Sequence, residues 1–197
     1  MKNFLWGTES FNDSPIHVVL FVSRNKDNKN IEGFEERRMS FITHEPLTSI
    51  KLKEKFSDFV NHGLLGETSR MYYSVNARDG EKIHRALLHF LFDNPSFNLC
   101  SIQSKLAGIA AQKEMAAEKR WMFDFDIDDE TAVKKFCNDI LAIDNDAIYG
   151  YRKTPHGYAV VTDHGFDCRA LMEKWGSDVT LKRDDLICID WETKEVE

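Results

Sequence analysis

Apolar and polar residues alternate strictly from Phe123 to Asp128, and no other stretch of the chain is as regular. Successive side chains of a β-strand point to opposite faces, so the pattern predicts a strand with two contrasting faces. The apolar face, suited to burial under helices, carries Trp121, Phe123, Phe125 and Ile127. The other face carries Met122, Asp124, Asp126 and Asp128.

The remaining elements follow from apolar runs and helical spacing. Strands are predicted at 16–22, 37–43, 121–127, 147–152, 158–162 and 186–190, with a β-rich run from Ser69 and an extended piece near 179–181. Helices are predicted at 50–61, 80–93, 99–119, 130–142 and 167–175. The first 120 residues therefore predict an N-terminal α/β module with a helical insert.

From Trp121 onward the predicted order is β-α-β-β-α-β, the order of a ferredoxin-like unit. In such a sheet the first strand is central, between the third and the fourth. With 186–190 as the fourth strand, Asp190 would lie beside Asp124 and Asp126 on an open face. The fold class predicted is α+β, with an N-terminal module at 1–120 and a core at 121–197 that together form one compact unit.

Carboxylates two residues apart on one strand face repel each other unless they are solvated, protonated or neutralised by a cation. For Asp128, Asp129 and Glu130, we favour a solvated acidic turn that leads into a helix N-terminus. For Asp124 and Asp126, we favour a Mg²⁺ or Mn²⁺ site over a solvated strand end.

Composition limits the classes of function. The chain has 197 residues, 42% of them hydrophobic, which is enough for a real core and excludes global disorder. The net charge of −7 argues against a dedicated nucleic-acid coat protein. From Trp121 onward there are 9 basic and 18 acidic residues, against 17 and 15 before it. This imbalance is compatible with a metal in the C-terminal part and phosphate contacts in the N-terminal part.

The four cysteines, Cys100, Cys137, Cys168 and Cys188, show neither a zinc pattern nor a disulfide framework. We expect reduced thiols and a cytoplasmic protein. Residues 1–13 lack the apolar core of a signal peptide, and no apolar run approaches the length of a membrane span. No membrane partner is therefore expected.

Several basic or polar residues are candidates for phosphate contacts. Guanidinium groups present a planar fork of donors, which makes Arg70 and Arg78 candidates together with Asn76. The loop SRNKDNKN at 23–30 could touch a phosphate backbone. The alternative in each case is an ordinary surface residue near a turn.

Three short motifs give the chain a resemblance to a known family. They are Phe123-Asp124-Phe125-Asp126, then Thr154-Pro155-His156-Gly157-Tyr158, then Ile189-Asp190. In this order and on these strands they resemble the Asp-x-Asp, small-x-His and hydrophobic-Asp motifs of the archaeo-eukaryotic primase superfamily. The likeness is to the small primase–polymerase-like proteins of phages and mobile elements, and it covers roughly residues 120–191.

The resemblance implies an RRM-like catalytic core and template-directed nucleotidyl transfer with two divalent metal ions, Mg²⁺ or Mn²⁺. Asp124, Asp126 and Asp190 would be the catalytic metal ligands. Phosphates would be neutralised by a second group of residues: His156, Arg152, Lys153 and Lys182. Nucleoside triphosphates and a single-stranded nucleic-acid template would be the partners, with a replication helicase or another replication protein as a further one.

One position departs from the family pattern. Phage relatives often read Gly-Tyr-His where this chain reads Gly157-Tyr158-Ala159, and His156 lies three residues upstream. The alternative is therefore a catalytically weak or inactive primase-like module that binds nucleotide, nucleic acid or a replication protein. A further competitor is an Asp-x-Asp phosphohydrolase of the haloacid-dehalogenase type, which would place its motif in a parallel sheet. A ferredoxin-like domain with only a structural acidic edge is the remaining alternative.

Overall fold

The structure, a computed structural model, describes residues 15–195. Within that range the protein is α+β, with two four-stranded antiparallel sheets and five α-helices. The strands are β1 (His17–Ser23), β2 (Arg37–Thr43), β3 (Thr68–Ser74), β4 (Trp121–Phe125), β5 (Tyr149–Thr154), β6 (Gly157–Thr162), β7 (Val179–Lys182) and β8 (Leu186–Thr193). The helices are α1 (Ile50–Asn61), α2 (Gly80–Asp93), α3 (Ile102–Ala110), α4 (Glu130–Ile143) and α5 (Arg169–Trp175).

The second sheet has the strand order β5-β6-β4-β7 and contains the alternating strand. Its apolar face is buried as the sequence predicts, because Phe123 and Phe125 pack against α4 and α5 in one core cluster with Phe136 and Leu171. Phe123 and Phe125 lie edge-on to the Phe136 ring, at centroid distances of 5.3 and 5.5 Å. This packing anchors β4 and leaves its acidic face pointing away from the helices.

The first sheet has the order β2-β1-β3-β8, so the last strand of the chain returns to the N-terminal module. The expectation that residues 186–190 flank β4 is wrong. The strand beside β4 is β7, in which Thr180 lies opposite Asp124. The physical reason is the longer ladder available elsewhere: β8 pairs with β3 from Thr68↔Thr193 to Ser74↔Leu186.

The two sheets pack against each other through the face of β4 opposite the helices. Met122, Ala159 and Val161 from the second sheet share a core cluster with residues of β3 and β8, such as Tyr73 and Ile187. Helix α1 adds its buried apolar side to the same cluster. Helices α2 and α3 pack on the first sheet around Val18 in a separate cluster.

The predicted helix at 99–119 is shorter in the structure. A 3₁₀ turn at Leu99–Ser101 precedes α3, which ends at Ala110 although the following residues favour helix. Tertiary hydrogen bonds explain the early end, because the backbone of Met115 accepts from Asp79 and that of Ala117 donates to Ala77. A second 3₁₀ turn at Lys113–Met115 and these bonds hold the segment that leads into β4.

The four cysteines are free, three of them buried and Cys100 exposed. Between residues 15 and 195, no helix combines the length and apolar character needed to cross a membrane. The expectation that residues 1–13 lack a signal peptide lies outside the described residues.

Candidate functional site

A polar cleft of about 230 Å³ lies between the two sheets and contains the acidic residues of β4. We call it the cleft. Its charged and titratable lining comes from both sheets: Arg24, Lys26, Arg70, Asp124, Asp126, His156 and Lys182, with Tyr72 and Cys188 beside them. The volume is just below the range of about 300–1,000 Å³ usual for small-molecule pockets, so the cleft suits part of a nucleotide, such as its phosphates.

Asp124 and Asp126 reach the cleft because the alternation of β4 points them away from the helices. Beyond the end of β4, the backbone nitrogen of Asp126 donates to Asp178 at 2.9 Å, which fixes the chain where the carboxylates emerge. The β5–β6 turn lies directly over this strand end. At Gly157 a Cβ atom would be 2.1 Å from the Phe125 carbonyl oxygen, so the close approach requires glycine. The turn thereby brings His156 into the cleft.

Lys182 forms the main ion pair of the acidic end of the cleft. Its Nζ lies 3.0 Å from Asp124 Oδ2 and 3.3 Å from Asp185 Oδ2. Burial alone would lower the pKa of Lys182, but the hydrogen bond and charge of Asp124 outweigh it and raise that pKa. Lys182 is therefore held as a cation where a phosphate or a metal ion would approach Asp124.

The opposite side of the cleft is built around Arg70 of β3, which is only 6% exposed. One of its terminal nitrogens, Nη2, lies 2.6 Å from Asp27 Oδ1 and 3.0 Å from His156 Nε2. Burial would raise the pKa of Asp27, but its bonds to Arg24 and Arg70 dominate and lower it. The cleft therefore combines a cationic side from the first sheet with a carboxylate side from the second.

The donor set of the cleft fits a Mg²⁺ or Mn²⁺ ion held jointly with a bound phosphate. Asp124 and Asp126 offer two adjacent carboxylates, and Mg²⁺ commonly binds through one or two carboxylates plus substrate phosphates. Among the described residues, no three His, Cys, Asp or Glu side chains are grouped closely enough to hold a metal on their own. The fit is therefore to a metal that arrives with its phosphate ligand.

Asp190, the third predicted metal ligand, does not line the cleft with Asp124 and Asp126. It lies on β8 opposite Met71, next to a register shift between β3 and β8. Burial lowers the pKa of Arg152, and the nearby charge of Asp190 partly opposes that effect. Arg152 lies opposite Ala159 on β6, and Ala159 lies opposite Asp124. Arg152 thus shares the face of Asp124 but not the lining of the cleft.

Three other predicted nucleotide-binding residues also lie away from the cleft lining. Asn76 and Arg78 are buried and bonded to Asp184, at 3.1 and 2.8 Å respectively. Lys153 pairs with Asp128 and lies 4.8 Å from the centroid of the Tyr158 ring. Asn76 and Arg78 were predicted near phosphates from residue type and Lys153 from the resemblance, and the structure gives each a protein partner.

The loop after β1, which the sequence offers as a candidate for phosphate contacts, contributes Arg24 and Lys26 to the cleft lining. Its link to Arg70 was not predictable, because no local pattern joins Asp27 to Arg70, 43 positions away. Asn28 fixes the loop, because its Oδ1 accepts from the Thr68 backbone at 2.7 Å. The acidic turn after β4 is confirmed as a helix start, since Asp129 accepts from the Thr131 backbone at 2.8 Å.

Comparison with known proteins gives no assignment of function, so function is inferred from the geometry of the cleft. The chain has no significant match to a family model, to a curated protein or to a solved structure.

Proposed function

We propose that the chain binds a nucleoside triphosphate in the cleft and catalyses metal-dependent, template-directed nucleotidyl transfer, as a primase–polymerase-like protein. The observation that carries the proposal is the meeting of the Asp124–Asp126 carboxylates with His156 and several cations in one cleft. The two motifs come from different parts of the chain, yet they line the same space. A bound triphosphate needs this combination, because its charge is balanced by cations and shared with a carboxylate-held metal.

The arrangement of the second sheet supports a ferredoxin-like or RRM-like core. Its connectivity is β4-α4-β5-β6-α5-β7, and β4 lies in the middle between β6 and β7. Both sheets are antiparallel. A phosphohydrolase of the haloacid-dehalogenase type would need a parallel sheet, so the architecture does not favour that alternative.

In this proposal Asp124 and Asp126 hold the metal, and His156, Arg70 and Lys182 contact the phosphates. When bound, Mg²⁺ or Mn²⁺ would make the attacking 3′-hydroxyl more acidic and stabilise the leaving pyrophosphate. Lys182 would exchange its 3.0 Å contact with Asp124 for the phosphates and could keep Asp185, which lies 3.3 Å away. Asp190 is not a ligand in the arrangement described here. The product, RNA or DNA, and a helicase partner stay predictions of the resemblance.

The test is Mn²⁺-dependent incorporation of labelled nucleotide on a single-stranded template, with and without a primer. We expect Asp124→Ala to lower incorporation by about 100-fold or more, because metal stabilisation of the transition state amounts to several kcal/mol. Asp128→Ala is the matched control, since Asp128 belongs to the same acidic run but pairs with Lys153 outside the cleft. Asp190→Ala should cost much less than Asp124→Ala.

Full activity of Asp124→Ala would remove the metal site from the proposal. Equal losses in Asp190→Ala and Asp124→Ala would instead restore the three-carboxylate site that the sequence predicts.

A second candidate function is triphosphate binding without transfer. It is favoured by the 3.0 Å pair between Lys182 and Asp124, which neutralises a proposed metal ligand, and by Ala159 directly opposite Asp124. Calorimetric titration with ATP and Mg²⁺, run beside the incorporation assay, separates the two candidates. Binding without incorporation in the unmodified protein would select the binding module.

A further inference from the structure

A single hydrogen bond joins the cationic side of the cleft to the histidine of the β5–β6 turn. Arg70 Nη2 in the first sheet lies 3.0 Å from His156 Nε2 in the second, although the two residues are 86 positions apart. Arg70 is 6% exposed, whereas His156 is exposed at the turn. The buried partner therefore determines which ring nitrogen of the exposed one serves as a hydrogen-bond acceptor.

The chemistry of this contact fixes the tautomer of the ring. A guanidinium group has five N–H donors, no acceptor, and stays protonated in proteins. In a hydrogen bond to Arg70, His156 Nε2 must therefore be the acceptor, which requires an unprotonated nitrogen. A neutral imidazole with a free Nε2 lone pair carries its hydrogen on Nδ1.

The position of Arg70 is itself fixed from the loop after β1. Asp27 accepts from Arg70 at 2.6 Å and from Arg24 at 2.9 and 3.2 Å. Asn28, the next residue, bonds β3 through both its amide oxygen and its amide nitrogen, at Thr68. The Arg70 guanidinium thus lies between the Asp27 carboxylate and the His156 imidazole. The loop that carries Asp27 is itself hydrogen-bonded to β3, the strand that carries Arg70.

We propose that Arg70 is a positioning residue for His156, which it holds as the neutral Nδ1–H tautomer so that Nδ1–H is the ring's donor to a phosphate in the cleft. The proposal rests on the proposed function only for the identity of the phosphate, a nucleoside triphosphate. Arg70 also lines the cleft, so the guanidinium that holds the imidazole lies beside the space where the phosphate would bind.

The experiment reads the His156 tautomer directly by ¹⁵N–¹H NMR of the histidine-labelled full chain without ligand. We expect His156 to be the Nδ1–H tautomer in the unmodified protein. In Arg70→Met an Nε2–H population should appear, because Nε2 no longer accepts a hydrogen bond from Arg70. Arg24→Met is the matched control, since Arg24 bonds the same Asp27 carboxylate but has no bond to the imidazole. Its His156 should stay Nδ1–H.

A binding cycle gives a second readout with ATP and Mg²⁺ as the probe. Arg70→Met and His156→Ala should each weaken ATP binding. If the two residues act together, the fold-decrease in ATP affinity of the double variant should be smaller than the product of the two single fold-decreases by a factor of at least about three. An Nε2–H tautomer of His156 in the unmodified protein would overturn the positioning role. So would a double variant whose fold-decrease in ATP affinity equals the product of the two single fold-decreases. The first measurement needs no variant to fold. If ATP does not bind, the proposed function fails, and the tautomer still decides the role of Arg70.

Discussion

Removal of the Asp184 carboxylate should destabilise the protein strongly, because two buried polar side chains depend on it. Arg78 Nη1 lies 2.8 Å from Asp184 Oδ2, and the two side chains are only 2% and 7% exposed. Asn76 Nδ2 donates to the other carboxylate oxygen at 3.1 Å. Asp184→Ala leaves a buried guanidinium without its counter-charge, and breaking such a pair costs about 3–5 kcal/mol of unfolding free energy.

Urea unfolding followed by tryptophan fluorescence measures this loss. Asp185→Ala is the control at the neighbouring position, since Asp185 pairs with Lys182 at 3.3 Å through a side chain that is 43% exposed. Such a pair contributes about 0–1 kcal/mol. Replacing both partners, with Arg78→Met and Asp184→Leu together, should recover part of the lost stability, because an apolar pair leaves no charge uncompensated although Asn76 Nδ2 still loses an acceptor.

The double variant also decides the role of Arg78. If Arg78 is structural, the refolded double variant keeps its affinity for ATP, whereas a nucleotide-binding Arg78 would make it lose that affinity. A cost below about 1 kcal/mol for Asp184→Ala would refute the burial argument.

Two further predictions concern the turn over β4 and a surface histidine. Gly157→Ala should cost about 1–3 kcal/mol or more of unfolding free energy, because its Cβ would meet the Phe125 carbonyl oxygen at 2.1 Å. Gly108→Ala in α3 has open space and should stabilise by up to about 1 kcal/mol, and equal effects in urea unfolding would contradict the steric argument. The hydrogen bond that His164 donates to Asp144 raises the pKa of His164 above 6.5, so its contribution to stability is complete below that pH and lost as the pH rises through the folded-state pKa. The unfolding free energy should therefore fall between about pH 6 and pH 8. His164→Gln should remove the contribution of His164 to this decrease. An unchanged dependence of unfolding free energy on pH in the variant would exclude His164 as the cause.

The sequence determined those features that depend on neighbouring residues. The alternation of β4 separated a helix-facing apolar side, with Phe123 and Phe125, from an acidic side, and the structure confirms that separation. The acidic helix start at Asp129 likewise follows from a local hydrogen bond. Such features are readable because strand periodicity and helix capping act over a few residues.

Tertiary structure alone decided which strand lies beside β4 and what each polar residue bonds. Both β7 and β8 read as extended in the sequence, but β8 pairs with β3 along the whole of that strand, whereas the shorter β7 pairs with β4. Tertiary structure also separated two arginines of the same short stretch. Arg70 lines the cleft, whereas Arg78 is paired with Asp184. Their partners, Asp27 and Asp184, lie 43 and 106 positions away, and pairing at that separation leaves no local pattern in the sequence.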